Sequence, residues 1–434
     1  MGTILTLLLV VASGAGVWEG ERATVARAAP LAQAAPGPLV KQAFDLLMDR
    51  FVTPPSSQTL LAGGWEGGAR FVQERASATS PGAPTFSGDR AKDWEGFQGA
   101  YPGLVTVLAG AGEQVELDRA IVGGMAASLV SSHTKLRPPE VVITPQAQER
   151  YAGVGIRVTP SLTVAEVFPG SPAEAAGVRL ADQVVAVDGA PVAGLTPQQL
   201  GERVRGPVGS TASITVQRAG AFVEFTIARA EVNVDWASSR VLDDQIGYLR
   251  IRVFASPNEL ALLDQAVARL SGAHVRALVI DVRGVPGGQS PAQVASRFIQ
   301  DADLMILTNR ENKQRLVRTS GGFWGQSVPI VVLVDSQSES AAELLAAFLR
   351  EHRVADIIGT PTVGAVENGV NFSLSDGSQL LIATESIKTA GGTVLEKNPL
   401  QPDIVAELDP ALLVQGKDSQ LEAALAHLRG KLGR

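Results

Sequence analysis

The sequence predicts a multi-domain α/β protein: an N-terminal helical region, a β-rich insert, and an α/β core with a mostly parallel sheet. Three observations carry this. Apolar residues recur at helical spacing before residue 130. Short strands between glycine turns follow Tyr151. Strands then alternate with helices from Ile246 onward.

The helical region opens with Val40, Phe44, Leu47 and Phe51, which share one helix face. Ser77 to Gly88 is rich in Ser, Pro and Gly and reads as a loop. A second helix is expected over Asp118–Ser128, with Ile121, Met125 and Leu129 on one side. In the insert, Val164–Val167, Gln183–Val187, Ala212–Gln217 and Phe222–Ala228 read as strands, and Asp188-Gly189 as a turn. The core alternates strands Ile246–Arg252, Ala277–Val282, Pro329–Val334 and Val354–Ile358 with helices Asn258–Leu270, Pro291–Gln300 and Ala341–Arg350. The continuous apolar strands require cover on both faces. The domains expected are a signal-like segment 1–18, a linker 19–38, a helical region 39–150, the insert 151–232 and the core 233–434.

The 434 residues carry a formal net charge of −7. No basic stripe is present, so a nucleic-acid partner is not expected. The absence of cysteine excludes thiol nucleophiles, disulfides and Cys-rich zinc sites. His133, His274, His352 and His427 do not pair as H-x-x-x-H, and neither a metal nor a cofactor is expected. The apolar run Ile4–Ala12 precedes Ser13, Gly14, Ala15 and Gly16, which reads as a signal-peptide core with a small-residue cleavage zone, although no Lys or Arg precedes it. The expected location is exported: periplasmic, cell-envelope or secreted.

Ligand sites in such sheets lie at the C-terminal ends of strands. Three strand ends stand out: Asp281-Val282-Arg283-Gly284-Val285-Pro286-Gly287-Gly288, Asp335-Ser336-Gln337-Ser338-Glu339-Ser340-Ala341-Ala342-Glu343, and Gly359-Thr360-Pro361-Thr362-Val363-Gly364. A serine at a strand-to-helix junction sits near free backbone N–H groups, which can stabilise a tetrahedral oxyanion. The plainer reading makes Ser336 or Ser338 a helix cap and Gly287-Gly288 a tight turn.

Taken together and in order, these segments resemble the C-terminal processing peptidases, or tail-specific proteases, whose pattern is D-x-R-x-N-x-G-G, then S-A-S-A-S-E, then G-x-P-T-x-G-K. The resemblance covers about residues 128–407 and includes Ile246-Gly247-Tyr248-Leu249-Arg250, Leu374-Ser375-Asp376-Gly377-Ser378 and Pro402-Asp403-Ile404. It implies Ser340 as nucleophile, with an oxyanion hole from the N–H of Ala341 and of Gly287 or Gly288. Glu351 falls where the family carries an acidic residue. It lies 11 residues after Ser340, roughly 16 Å along a helix, so a structural or orienting role fits it better than direct partnership.

The sequence departs from the family at its general base. The lysine position is Ala365, and the glutamine four residues on is Gly369. A serine hydroxyl needs a base to take its proton. Ser131-Ser132-His133-Thr134 resembles the D-x-H-T segment of tricorn-like and nisin-resistance-type proteases, which makes His133 a candidate base. Lysine-dependent members also carry a histidine here that is not their base. Lys388 is a further candidate without a motif. The alternative is a pseudo-peptidase that binds peptide tails without cutting; an engineered change at Ala365 would leave Gly369 unexplained.

Within the insert, Gly153-Val154-Gly155-Ile156, Ser171-Pro172-Ala173-Glu174-Ala175-Ala176-Gly177 and Asp182-Gln183-Val184-Val185-Ala186-Val187-Asp188-Gly189 resemble a PDZ domain of the bacterial protease type. That implies an exposed strand edge, with Gly153 to Ile156 receiving a peptide C-terminus. The expected partners are polypeptide C-termini or unfolded proteins.

Overall fold

The computed structural model describes residues 35–76, 81–106, 108, 111–139, 150–159, 161–254, 260–321 and 327–433. The signal-like segment and most of the linker lie outside the described residues. No helix among the described residues is long and apolar enough to cross a membrane.

Pro38 starts the first helix, Pro38–Arg50, at the position where a missing N–H costs nothing. Its Leu39, Val40, Ala43, Phe44 and Leu47 are buried, as is Phe51 just beyond it. The helix expected at Asp118–Ser128 runs Ala111–Ala127 instead. Two further helices, Ser57–Ala76 and Arg90–Ala100, were hidden by glycines and weak periodicity. Those glycines let helices Ser57–Ala76 and Ala111–Ala127 touch backbone to backbone. A Cβ on Gly124 would lie 2.2 Å from the Gly63 carbonyl oxygen.

This helical cluster shares a core with Leu374, Leu380, Ile382 and Ala383. The last three belong to strand Gln379–Thr389, against which Lys135–Arg137 pairs antiparallel. The chain leaving the helices is thereby brought to the body at His133.

The insert packs around Val154, Val164, Val184, Leu200, Ile214 and Val216. Asp188 and Gly189 both take positive φ, 50° and 74°, which is the turn geometry that suits a two-residue hairpin. Buried Asp182 is paired with Arg218 at 2.6 Å.

The body holds a six-stranded sheet in the order Ala237–Val241, Ile246–Ile251, Ala277–Asp281, Ile330–Val334, Ala355–Gly359, Ile404–Val405. The first pair is antiparallel and the rest are parallel. Alternate residues serve two cores. Leu278, Ile280, Ile330 and Val332 face helices Ala261–Gly272 and Ala341–Glu351. Ala277, Val279, Val331 and Leu333 face helix Ser419–Leu432. Burial on both faces explains the unbroken apolar strands.

Two details differ from expectation. The helix expected over Pro291–Gln300 stops at Ala295, and the chain continues in tighter turns, with Phe298 N bonded to Ala295 O. A second sheet, wholly antiparallel, joins Lys135–Arg137, Asp303–Asn309, Gln314–Arg318, Glu367–Ser373 and Gln379–Thr389.

Candidate active site

Ser340 sits where strand Ile330–Val334 hands over to helix Ala341–Glu351. Its φ of 55° and ψ of −108° are unusual for a residue with a side chain. Two clips hold this conformation. Upstream, Ser338 Oγ accepts Asp335 N and donates to Val282 O, each at 3.0 Å. Asp335 Oδ1 accepts Gly284 N at 2.8 Å. Ser338 therefore ties two strand ends together, while Ser336 is exposed. Downstream, Glu343 is 0 % exposed. It accepts Ser340 N at 2.9 Å, Gly364 N at 2.8 Å, Ala365 N at 3.0 Å and the Thr362 hydroxyl. A buried carboxylate needs such donors. Here they bind the third strand end to the first turn of the helix.

Gly287 and Gly288 have φ of 83° and 146°. A Cβ on Gly287 would lie 2.8 Å from Ser340 Cβ and 3.3 Å from its Oγ. One on Gly288 would lie 2.1 Å from the Phe254 carbonyl oxygen. Glycine is therefore required at both positions, and backbone runs against the Ser340 side chain. The N–H groups of Gly287, Gly288 and Ala341 donate to no group among the described residues.

The D-x-R part of the first strand end is a scaffold. Asp281, 2 % exposed, accepts Tyr248 OH at 2.6 Å and Arg283 Nη2 at 2.7 Å. Burial pushes the Asp281 carboxyl up, but Arg283 and Arg250 outweigh it and hold the group well below the usual carboxylate range. Arg283 passes on to Asp418 at 2.7 Å, tying the strand end to the C-terminal helix region.

His133 lies just before strand Lys135–Arg137. Its Nδ1 is 2.7 Å from Ser132 Oγ, which is 2.7 Å from Glu396 Oε2. The hydroxyl has one proton, and an ionised carboxylate can only accept. Ser132 thus donates to Glu396 and accepts a hydrogen bond from Nδ1–H, leaving Nε2 with a lone pair. Burial holds the imidazole below the ordinary histidine range; Glu396 opposes this, and Lys135 and Arg137 add to it.

Glu396 Oε2 also accepts Val366 N at 2.8 Å. On the next residue of strand Glu367–Ser373, Glu367 Oε2 accepts Ser131 Oγ at 2.5 Å. A Cβ on Gly369 would lie 3.4 Å from the His133 carbonyl oxygen. The segment 365–369, where the lysine and glutamine of the family pattern are missing, therefore borders the stretch Ser131–His133. One ligand atom each of His133, Glu367 and Glu396 lies within 4.8 Å of the others. These groups are already hydrogen-bonded through Ser131 and Ser132, so the cluster reads as a proton-holding network.

No His or Lys nitrogen is hydrogen-bonded to Ser340 Oγ among the described residues. Lys388 is exposed, opposite Ile306 in the antiparallel sheet. Glu351 ends the Ser340 helix at its far end, where it accepts Thr389 Oγ1 at 2.5 Å and Gly391 N at 3.1 Å. It braces the turn that follows strand Gln379–Thr389 and is not among the groups gathered around Ser340. Sequence reasoning missed Ser132 and Glu396. Glu396 is one of 44 acidic residues with no local motif, and only the fold brings it to Ser132.

In the insert, Val154 O accepts Ala173 N at 2.8 Å and Gly155 O accepts Phe168 N at 3.0 Å. A Cβ on Gly155, whose φ is 89°, would lie 2.2 Å from Ser171 Cβ. Strand Ile156–Val158 pairs with Val164–Val167 on one edge, and no strand covers its other edge among the described residues. Arg157 reaches the core: a Cβ on Gly284 would lie 2.4 Å from its guanidinium. Beside it, Glu166 accepts Arg252 Nε at 2.6 Å. A cleft of about 700 Å³ lies between insert and core, lined by Arg157, Glu166, Tyr248 and Asp335 among others.

A mostly parallel sheet with a serine at a strand-to-helix junction, joined to an inserted β module with an open strand edge, is the arrangement of a serine-type peptidase. The profile of peptidase family S41 matches residues 245–406, and that of the PDZ domain residues 163–218. A carboxy-terminal-processing protease of Bartonella bacilliformis is 30 % identical over 296 residues, covering 65 % of this chain and 68 % of that protein. A carboxyl-terminal-processing protease of Synechocystis sp. is 28 % identical over 324 residues, 70 % of this chain and 75 % of the other. The chain belongs to peptidase family S41. In fold it resembles a photosystem II D1 C-terminal processing protease, with a TM-score of 0.52 and 23 % identity over 86 % of this chain and 92 % of that one. An S41 protease from Bacteroides fragilis also scores 0.52, at 16 % identity over 90 % and 97 % of the two chains.

Proposed function

We propose that this protein is an exported serine endopeptidase that captures polypeptide C-termini on its PDZ domain and hydrolyses them through Ser340, with His133 as the base. The observation that carries this reading is the Ser132 hydroxyl bridging His133 Nδ1 and Glu396, each at 2.7 Å, beside the segment that follows Ala365. It supports a neutral imidazole with its Nε2 lone pair available.

In this mechanism Nε2 takes the proton of Ser340 Oγ as the oxygen attacks the scissile carbonyl. The oxyanion forms against the N–H groups of Gly287, Gly288 and Ala341. The imidazolium returns the proton to the leaving amine, and an acyl-enzyme remains. Water, deprotonated by the same nitrogen, releases the new C-terminus and restores the serine. Gly153 to Ile156, with the open edge of strand Ile156–Val158, would receive the substrate tail. Export rests on the Ile4–Ala12 run, and a mature chain starting beyond Ala12 is its test.

The test is cleavage of a denatured protein by wild type, Ser340→Ala and His133→Ala. Wild type alone should cut. Equal inertness of wild type and Ser340→Ala would defeat the enzyme reading. A second reading, an adaptor that binds tails without cutting, is favoured by the missing nitrogen at Ser340 Oγ and by Ala365. It requires tail binding with no turnover, and slow Ser340-dependent hydrolysis excludes it.

A further inference from the structure

Glu339 stands directly before Ser340, at a position where the family pattern has alanine. Its backbone is fixed: the N–H donates to Val285 O at 2.9 Å, and the carbonyl accepts Ala342 N at 3.1 Å. A Cβ on Gly287 would lie 3.2 Å from that carbonyl oxygen. The residue is therefore held at the wall of the amide-lined pocket.

Its carboxylate differs from the other acids nearby. Glu343, Glu367 and Glu396 each accept hydrogen bonds. The Glu339 carboxylate is half-buried, yet it accepts no hydrogen bond and makes no ion pair among the described residues. Burial pushes its carboxyl up; Lys135 opposes this, and Glu343 and Glu396 add to it. Lys135 is exposed and forms no ion pair with it. A partly desolvated carboxylate without a donor is an unfavourable state that an arriving cation relieves.

We propose that Glu339 is a specificity-determining residue that selects substrates with a Lys or Arg side chain next to the scissile bond. The substrate cation would replace the donors that the protein does not supply. This inference rests on Ser340 being the nucleophile, because adjacency to the reacting carbonyl gives Glu339 its place. It extends that reading from the tail of the substrate, held by the PDZ domain, to the residue at the cut.

The test uses full-length protein carrying Ser340→Ala, so that binding is read without turnover. Two labelled unstructured peptides share one C-terminal tail and differ only in a central Lys or norleucine. Fluorescence anisotropy should show the Lys peptide binding about 10-fold or more tightly. Adding Glu339→Gln should bring the ratio close to one. The same ratio measured as kcat/KM in the Ser340 protein should fall in parallel. Equal binding of both peptides, or a Lys preference that survives Glu339→Gln, overturns the proposal. A preference that depends on Glu339 in a protein that never cuts would instead overturn the proteolytic reading and leave Glu339 as a binding determinant.

Discussion

Ser340 and Ala365 are held by one oxygen: Glu343 Oε2 accepts the N–H of Ser340 at 2.9 Å and that of Ala365 at 3.0 Å. The nucleophile candidate and the vacant lysine position are thus fixed together by a buried acid. Val366 then leads, through Glu396 and Ser132, to His133. Glu343 and Glu396 thus accept the N–H groups of two consecutive residues, Ala365 and Val366, and link the Ser340 turn and the His133 network to one short segment.

Removing Glu343 should therefore loosen the fold as well as the site. Glu343→Ala leaves several buried donors without an acceptor, and the expected loss is roughly 3–5 kcal/mol. Urea unfolding against wild type measures it. A loss below about 1 kcal/mol would show that the latch is not structural.

The orienting role of Ser132 and Glu396 separates from mere packing by its kinetic signature. Ser132→Ala and Glu396→Gln should lower kcat by about 100-fold or more, with KM little changed. Both variants should also shift the acid limb of the pH profile, since each alters the charge or hydrogen bond at Nδ1. Unaltered profiles would place the pair outside the reaction.

The pH dependence has a definite sign. A base must be neutral, and burial holds His133 below the ordinary 6.5. Activity should rise with pH along a single limb whose midpoint lies below 6.5, and stay high through neutrality. A midpoint well above that value would point to an amine, such as Lys388, as the base.

Asp118 supplies a stability test remote from the chemistry. It accepts Tyr101 OH at 2.7 Å and Gly37 N at 3.0 Å, and burial raises its carboxyl from 3.8 to about 6. The folded chain holds this proton more tightly than the unfolded chain does, so stability falls as pH rises from about 4 through 6. Relative to Asp118→Asn, wild type should lose about 2–3 kcal/mol between pH 4 and 7. Parallel stability curves for the two proteins would contradict this.

Strands Val164–Val167 and Gln183–Val187 were read from sequence to the residue because alternation and flanking turns act locally. The parallel strands were legible because burial on both faces demands unbroken apolar runs. Helix Ser57–Ala76 was not, since its glycines lower helix propensity and only the partner helix explains them. The antiparallel sheet escaped because its strands come from distant stretches, such as Lys135–Arg137 and Gln379–Thr389. At the site, Ser340, Gly287 and Gly288 were visible as ordered motifs. Glu396 was not, because a carboxylate 264 residues from Ser132 leaves no local pattern.

The central claim is an activated hydroxyl at Ser340, and covalent labelling tests it most directly. Full-length protein treated with a fluorophosphonate probe should gain one adduct by mass spectrometry, mapped to Ser340 and strongly reduced in His133→Ala. An unlabelled wild type that still binds peptide tails, or equal labelling of the His133 variant, would contradict the account.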